Sequence, residues 1–256
     1  MAIVEYKKQG HLVTITLNRP DKLNALNDDM LKALRHCWKK YQHDDDAWLA
    51  ILTGTGKAFS AGTDKDQFVK ALKGEDSLGN FLTNIGKDPY WSGTLNKPTI
   101  TAINGAAIGS GLELVLKSDL RIAAESALFQ QPEVGLGNIV IFNDNLPDAI
   151  AAEMLCGFPF SARRAYAVGM INRVVRDEQL MNATLDLADD LLSKPPLVLQ
   201  QALNILRDLK NAGTTIPRHL LNQYTTEISK SLTKTEDWKE AVNSLVEKKK
   251  PVFKRR

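Results

Sequence analysis

The segment "KPTITAINGAAIGSGLELVLKSDLRIAAES" (Lys97–Ser126) gives the clearest indication of the fold class. It begins with a run of apolar and β-branched residues that is typical of a strand, and it ends with a second such run, "DLRIAAES". Between the two runs, glycines and small residues lead into a helical pattern that begins near Ser110. A strand, a helix and another strand in this order indicate an α/β domain whose strands pair in parallel.

Strand and helix patterns also alternate before this segment. "HLVTITLN" (His11–Asn18) alternates apolar and polar residues as a half-buried strand does, and "WLAILTGTG" (Trp48–Gly56) predicts a strand that runs into a glycine turn. Between them, Asn27 is a candidate cap for a helix. The apolar face predicted for that helix consists of Met30, Leu31, Leu34, Trp38 and Tyr41.

The last third of the chain has a different pattern. From about Asp177 onward only helical patterns occur, broken at Pro195-Pro196, at "NAGTTIP" (Asn211–Pro217) and near Thr233. We therefore expect an α/β core over residues 1–190 and a helical oligomerisation region over residues 191–256, packed on the core or on a neighbouring subunit.

Composition and charge limit the class of protein. The chain has 256 residues, of which 43% are hydrophobic and 25% charged, as in ordinary globular proteins. A net charge of +3 is too small to argue for nucleic acid and suits an anionic small molecule equally well. No apolar run approaches the ~18 residues of a membrane helix, and the N-terminus lacks the features of a signal peptide, so we expect a cytoplasmic protein with no membrane or nucleic-acid partner.

Several familiar site types are absent from the sequence. Two cysteines are too few for a disulfide framework or a zinc site, and we expect both to be packed. The four histidines have no metal-ligand spacing, so no metal is expected. "GTGKAF" (Gly54–Phe59) has Phe59 where a dinucleotide fingerprint needs its third glycine. The loose match of "AIGSG" to a serine nucleophile elbow lacks the leading glycine.

Two glutamates are the candidates for acid–base chemistry. Glu113 lies among leucines, where a carboxylate is costly to bury without a partner or a task. Glu133 follows 20 residues later in "FQQPEVGLG", which leaves enough chain for a helix and a strand to return to the same end of a sheet. Two carboxylates that face one pocket separate in pKa, so that one can act as base and the other as acid. Helix capping or a simple ion pair for each remains an alternative.

The glycines before Glu113 indicate a site for a negative oxygen. In "IGSGLE" the chain enters a helix, where the first backbone N–H groups have no partner and the helix dipole favours negative charge. "FSAGTD" (Phe59–Asp64) also follows a strand and also carries a glycine before a polar residue. Two such strand-end loops, each offering one N–H group, would form a two-donor oxyanion hole.

The chain resembles the crotonase, or enoyl-CoA hydratase/isomerase, superfamily along nearly its whole length. The resemblance rests on "NRPDKLNALN", "LTGTGKAFSAGTD", the long segment from Lys97 to "QQPEVGLG", "ARRAYAVGMINRVV" and "VEKKKPVFKRR". It implies a spiral of strand–strand–helix (ββα) turns with a helical C-terminal region, assembled as homotrimers or dimers of trimers. It also implies an enzyme that stabilises the enolate of an acyl-CoA thioester with two backbone N–H groups.

Carried over position by position, the resemblance assigns the oxyanion donors to the amides of Thr63 and Ser110. Ser110 replaces the middle glycine of a three-glycine run, which narrows the space without removing the amide. Glu113 and Glu133 match the two catalytic glutamates of the hydratases, whereas isomerases of the family commonly keep only one. The resemblance implies no metal or redox cofactor, since coenzyme A arrives as part of the substrate.

The resemblance also implies contacts to coenzyme A. Positions near its pantetheine and adenine match Lys22, Ala25, Leu26 and Ala61. Phe253 and Lys254 match a C-terminal tail that meets the nucleotide part, often from a neighbouring subunit.

One segment departs from the family pattern. After "PEVGLG" the chain continues "NIVIFNDNLPDAIAAEM" (Asn138–Met154) without the usual Pro-Gly-Ala-Gly-Gly type of sequence. The wall of the acyl pocket is therefore expected to differ, with Phe142 as a candidate lining residue and Asp144 as a candidate catalytic residue. A helix cap or a solvated loop is the alternative for Asp144.

The function that follows from the resemblance is that of an enoyl-CoA hydratase-like lyase, which adds water to an α,β-unsaturated acyl-CoA or removes it. The departure after Glu133 keeps open an enoyl-CoA isomerase, or an acyl-CoA hydrolase or lyase, of the same superfamily. Ser110 and the basic tail keep open a non-catalytic CoA-binding oligomer.

Overall fold

The computed structural model describes residues 2–73, 75, 85–137, 148–211 and 217–256. In chain order its strands are β1 (Val4–Gln9), β2 (Leu12–Leu17), β3 (Leu49–Gly54), β4 (Ala58–Ser60), β5 (Thr99–Ile103), β6 (Ala106–Ile108), β7 (Leu120–Ala124), β8 (Leu128–Gln130), β9 (Phe160–Ser161) and β10 (Arg173–Val175). Its α-helices are α1 (Asp28–His43), α2 (Lys65–Leu72), α3 (Ser110–Lys117), α4 (Asp148–Leu155), α5 (Ala162–Ala167), α6 (Leu180–Leu192), α7 (Pro196–Asn211), α8 (Arg218–Leu232) and α9 (Glu236–Glu247). Short 3-10 helices span Pro20–Lys22, Pro132–Leu136 and Asp177–Gln179.

The strands form two sheets. The larger sheet has the order β1-β2-β3-β5-β7-β10, with parallel pairing from β2 onward and an antiparallel β1 at its edge. The smaller sheet has the order β4-β6-β8-β9, and its first three strands are parallel. All residues of β5 are buried, because helices and the second sheet cover both faces of a parallel sheet.

The chain visits the two sheets in turn, which builds the spiral. β3 is followed by β4, β5 by β6 and β7 by β8, so these three strands of the larger sheet are each followed by a short strand of the smaller one. The predicted α/β class, with a crotonase-like spiral of ββα turns and a helical C-terminal region, is confirmed. The repeat brings the carboxyl ends of β4, β6 and β8 to one edge of the smaller sheet.

Helix α1 forms as its sequence predicts. The Asn27 side chain accepts a hydrogen bond from the Met30 N–H at 2.9 Å, which satisfies one of the unpaired donors of the first turn. The predicted apolar face is buried, and Cys37 lies in it as well. The expectation that both cysteines are packed is wrong for Cys156, which is exposed just after α4.

The C-terminal helices begin earlier than the expected division of the chain. Residue 190 falls inside α6, and this helix packs on β3, β5 and β7 of the larger sheet. The predicted breaks near Pro195-Pro196 and Thr233 both separate helices. Within the described part of the chain, no helix combines the length and the apolar character that crossing a membrane requires.

Candidate active site

Three neighbouring strands of the smaller sheet deliver the predicted site residues. β4 leads to Thr63, β6 leads to Ser110 and Glu113, and β8 leads to Glu133. Because β4, β6 and β8 are parallel, the loops that follow them lie at the same edge of the sheet. Residues as far apart in sequence as Thr63 and Glu133, 70 positions, are thus brought to one place by the repeat of the fold.

The backbone around Thr63 is held by a short parallel bridge to Leu26. The Leu26 N–H donates to the Gly62 carbonyl at 2.7 Å, and the Asp64 N–H donates to the Leu26 carbonyl at 2.9 Å. Successive N–H groups of an extended backbone point to opposite sides. The Thr63 N–H therefore points away from Leu26.

Ser110 is the first residue of α3, and its loop touches the Thr63 loop. As the first helical residue it has no carbonyl one turn earlier to accept its N–H. A Cβ atom at Gly62 would lie 2.4 Å from the Ile108 carbonyl oxygen and 3.4 Å from the Ser110 nitrogen, so only glycine fits there. The Thr63 and Ser110 hydroxyl oxygens are 2.9 Å apart and form a hydrogen bond.

Glu113 lies in the first turn of α3 and has a partner that the sequence analysis missed. The indole N–H of Trp91 donates to the Glu113 Oε2 atom at 2.8 Å. Trp91 is only 7% exposed, and a buried tryptophan usually finds an acceptor for its N–H group. This tendency of a buried indole is the only sequence signal for the Trp91–Glu113 pair, because the two residues are 22 positions apart.

Glu133 lies in the 3-10 helix Pro132–Leu136, and its carboxyl group faces the start of α3. A Cβ atom at Gly109 would lie 2.8 Å from the Glu133 Oε1 atom, so the bare backbone of Gly109 makes room for this carboxyl. The Gly109 φ of +51° also favours glycine. Burial raises the pKa of the Glu133 carboxyl above its ordinary value.

Two buried polar groups at this point have no close hydrogen-bond partner within the described residues, although the Gln131 side chain acts on the Glu133 carboxyl and lowers its pKa against the effect of burial. They are the Glu133 Oε2 atom and the amide of Gln131, whose side chain the sequence analysis also missed. Buried polar atoms are nearly always paired, and exceptions occur at catalytic sites. The arrangement thus combines two backbone donors, one carboxylate held by an indole and one carboxyl whose pKa is raised by burial.

The sequence of this chain, compared with known proteins, matches one family over nearly its whole length. Residues 7–256 match the family model described as enoyl-CoA hydratase/isomerase. The chain belongs to this family. It is 32% identical over 254 residues to a short-chain-enoyl-CoA hydratase of Clostridium acetobutylicum, covering 95% of this chain and 94% of that protein. It is 31% identical over 262 residues to an (E)-benzylidenesuccinyl-CoA hydratase of Thauera aromatica, covering 98% of each chain.

Solved structures agree with this membership. An enoyl-CoA hydratase from Bacillus anthracis superposes with a TM-score of 0.88 at 26% identity, covering 99% of this chain and 100% of that one. An enoyl-CoA hydratase/isomerase from Mycobacterium paratuberculosis superposes with a TM-score of 0.83 at 30% identity, covering 100% of this chain and 99% of that one. The protein is therefore an enzyme of the enoyl-CoA hydratase/isomerase family.

In this family member, the loop with the first predicted CoA contacts runs beside Thr63. Lys22 is exposed, Ala25 and Leu26 are buried, and the Ala61 N–H donates to the Leu23 carbonyl at 2.9 Å. The loop is held by the buried Asn24 side chain, which donates to the carbonyls of Thr55 and Ala58, both at 2.9 Å. Arg19 adds an ion pair to Asp64 at 3.0 Å. The structure brings this set of residues to the site.

The second predicted set of CoA contacts lies elsewhere in the same chain. Phe253 lines a surface cavity with Trp48 and Leu192, and Trp48 precedes the amino end of β3. The Lys254 N–H donates to Asp237 at 2.7 Å. The site lies beyond the carboxyl ends of the strands, so a single chain does not bring this tail to the two glutamates.

Two further candidates cannot be placed. Phe142 and Asp144 lie in residues 138–147, outside the described residues. Among the side chains that the structure describes, no three His, Cys, Asp or Glu residues come together as metal ligands would.

Proposed function

We propose that the protein hydrates α,β-unsaturated acyl-CoA thioesters. The observation that carries the proposal is the meeting of the Thr63 and Ser110 loops, through their hydroxyl pair at 2.9 Å, beside two glutamates. The proposal is supported by the retention of both carboxylates and by relatives named as hydratases.

The thioester oxygen would accept hydrogen bonds from the Thr63 and Ser110 amides. Negative charge develops on this oxygen as the double bond is attacked, and preorganised donors stabilise such charge. Ser110 also begins α3, so the positive end of the helix dipole faces the same oxygen.

The two glutamates would share the proton transfers. Glu113, whose carboxylate accepts the Trp91 indole N–H, would take a proton from water as the water oxygen bonds to Cβ. Glu133, whose pKa is raised by burial, would give its proton to Cα of the enolate. In sum, one water is added across the double bond. The proton that Glu113 has gained then passes to Glu133 before the next turnover.

Binding of the CoA part would use two regions. Lys22, Ala25, Leu26 and Ala61 flank the oxyanion loop of the same chain. Phe253 and Lys254 would serve the site of a neighbouring subunit, as expected for a homotrimer or a dimer of trimers whose contacts involve residues 191–256. Coenzyme A would be part of the substrate, and no separate cofactor is invoked.

The test combines a substrate panel with two substitutions. Short, branched, aromatic and alicyclic enoyl-CoA esters are each followed by the loss of conjugated-thioester absorbance. Glu113→Gln and Glu133→Gln should each lower the rate by about 10²-fold or more, since each removes an acid–base group. The matched control is Glu125→Gln, because Glu125 is 47% exposed and forms a surface ion pair with Arg163.

Water labelled with heavy oxygen identifies the reaction. Hydration places the label on Cβ, whereas double-bond isomerisation incorporates none. Near-normal turnover by both glutamine variants would contradict the mechanism, and unlabelled product would contradict hydration itself.

A further inference from the structure

Trp91 contacts the proposed base directly. Its Nε1–H donates to Glu113 Oε2 at 2.8 Å, and its side chain is 7% exposed. An indole N–H only donates, and an ionised carboxylate only accepts, so this bond suits the charged form of Glu113. A hydrogen bond to an ionised group is also shorter and stronger than one between neutral groups.

The turn before Trp91 fixes where the indole lies. The Asp88 Oδ1 atom accepts the N–H groups of Tyr90 at 2.9 Å and Trp91 at 3.4 Å. The Tyr90 hydroxyl donates to the Leu114 carbonyl at 2.8 Å. Trp91 therefore holds the side chain of Glu113, and Tyr90 holds the backbone of the next residue of α3, Leu114.

A second aromatic contact stiffens this arrangement. The Tyr90 ring stacks on the Trp38 ring, with centroids 4.3 Å apart and planes 4° from parallel. Trp38 is fully buried on the core side of α1. The indole of Trp91 thus has little freedom, and the carboxylate that it holds is preorganised relative to the backbone of α3.

We propose that Trp91 is a positioning residue for the reaction, whose indole N–H fixes one oxygen of Glu113 and keeps that group as the carboxylate that accepts a proton from water. The inference rests on the proposed function. It adds a division of labour, because Glu133 lacks such a donor at Oε2 within the described residues and is thereby suited to be the acid.

The test compares Trp91→Phe with Trp38→Phe. Both variants remove a buried indole beside Tyr90, Trp91 as its chain neighbour and Trp38 as its stacking partner, but the Trp38 Nε1 atom has no hydrogen-bond partner within the described part of the chain. Trp91→Phe should lower kcat about tenfold, the effect of losing a hydrogen bond to a charged group, with KM changed less than about twofold. The acidic limb of its kcat profile should move upward by about one pH unit, because the charged carboxylate loses a donor.

The control variant should show neither change. Trp38→Phe should keep the wild-type kcat and acidic limb, because phenylalanine still supplies a ring to stack on Tyr90 and the Trp38 N–H has no partner to lose within the described residues. A Trp91→Phe protein with wild-type kcat and limb would overturn the inference, and so would an equal change in both variants. Turnover by Glu113→Gln distinguishes failure of the proposed function from failure of the inference about Trp91. If Glu113→Gln turns over substrate at a near-normal rate, the proposed function fails. If Glu113→Gln loses turnover while Trp91→Phe behaves as the wild type, only the inference about Trp91 is refuted.

An NMR measurement does not depend on how Trp91→Phe folds. The chain has four tryptophans, so selective ¹⁵N labelling gives four indole N–H signals, and Phe variants of Trp38, Trp48 and Trp238 assign the fourth to Trp91. That signal should titrate along the acidic limb of kcat in the wild type and should not titrate in Glu113→Gln. A Trp91 signal that stays constant across the limb would overturn the inference.

Discussion

The hydroxyl groups of Thr63 and Ser110 join the two loops whose amides are the proposed oxyanion donors. Their oxygens lie 2.9 Å apart, and the Ser110 side chain is 6% exposed. Because the donors themselves are backbone N–H groups, the hydroxyl bond acts by fixing the distance between them. The serine at position 110, where the family pattern has glycine, is thus explained by the hydrogen bond between its hydroxyl and that of Thr63.

A double-mutant cycle at this pair tests the explanation. Thr63→Val and Ser110→Ala each remove the bond and keep the amides, so each should lower kcat/KM by about three- to tenfold, equivalent to about 1 kcal/mol. The double variant should be no worse than the more impaired single variant, since the bond can be lost only once. Steady-state kinetics of the four proteins give the coupling.

A different result of the double-mutant cycle would contradict this explanation. Effects that multiply in the double variant would mean that the two hydroxyls act separately, for example by contacting substrate. Melting temperatures of the four proteins serve as the control for folding.

Among the elements, those with a long local pattern were predictable from sequence. Helix α1 begins after the Asn27 cap and buries its predicted face, and β2, β3, β5 and β7 occupy the predicted segments. β4, β6 and β8 have three residues each, too few for an alternating pattern to be distinctive, so only the family resemblance indicated them. They are the strands that assemble the site.

The partner of Glu113 was not predictable for a related reason. Trp91 reaches Glu113 only because the Asp88 turn, the Tyr90–Trp38 stack and α3 come together in three dimensions. No sequence period links these elements. The glycines, in contrast, were informative, since a Cβ atom at Gly62 would collide with backbone and the positive φ of both Gly62 and Gly109 favours glycine.

The Asp88 turn predicts a pH-dependent stability. Asp88 is 2% exposed, and burial raises the pKa of its carboxyl from the usual 3.8 to about 6, although the Tyr90 and Trp91 N–H groups oppose the shift. A raised pKa means that the charged carboxylate destabilises the fold. This cost is absent below about pH 4, grows between pH 4 and 6 and is complete above pH 6.

Asp88→Asn should therefore stabilise the protein at neutral pH. Asparagine keeps a side-chain oxygen for the turn and carries no charge, so we expect a gain of about 1–3 kcal/mol in unfolding free energy at pH 7–8. The gain should vanish near pH 4. Urea unfolding of both proteins from pH 4 to 8, at one protein concentration, measures the difference. A difference that does not change with pH would contradict the assignment of the shift to burial.

At the scale of the whole molecule, one buried ion pair ties the C-terminal helices to the sheet. The Arg207 Nε–H of α7 donates to Asp119 at 2.8 Å, and its other N–H groups reach the carbonyls of Leu95 and Lys97 at 2.8 and 3.0 Å. Asp119 also accepts the Thr99 N–H at the start of β5, at 2.8 Å. The region of residues 191–256, proposed to carry the subunit contacts, is therefore bonded to the core of its own chain.

The last prediction concerns this link. Arg207→Met leaves Asp119, whose side chain is 6% exposed, buried without its cation, and should cost about 3–5 kcal/mol of unfolding free energy. Arg163→Met is the matched control, because Arg163 is 82% exposed and its pair with Glu125 should contribute less than about 1 kcal/mol. Urea unfolding followed by tryptophan fluorescence and by far-UV circular dichroism, at fixed protein concentration, measures both variants.

The two signals also test whether the helical region is a separate unit. If α7 is part of the core, the fluorescence and circular dichroism transitions coincide, and Arg207→Met moves both together. If residues 191–256 unfolded by themselves, Arg207→Met would split the two transitions and leave the stability of the sheet unchanged. Arg207 bonds to the segment before β5 and to Asp119 before β7. Removing the Arg207 guanidinium therefore acts on the strands that lead into the site, and we expect a single unfolding transition.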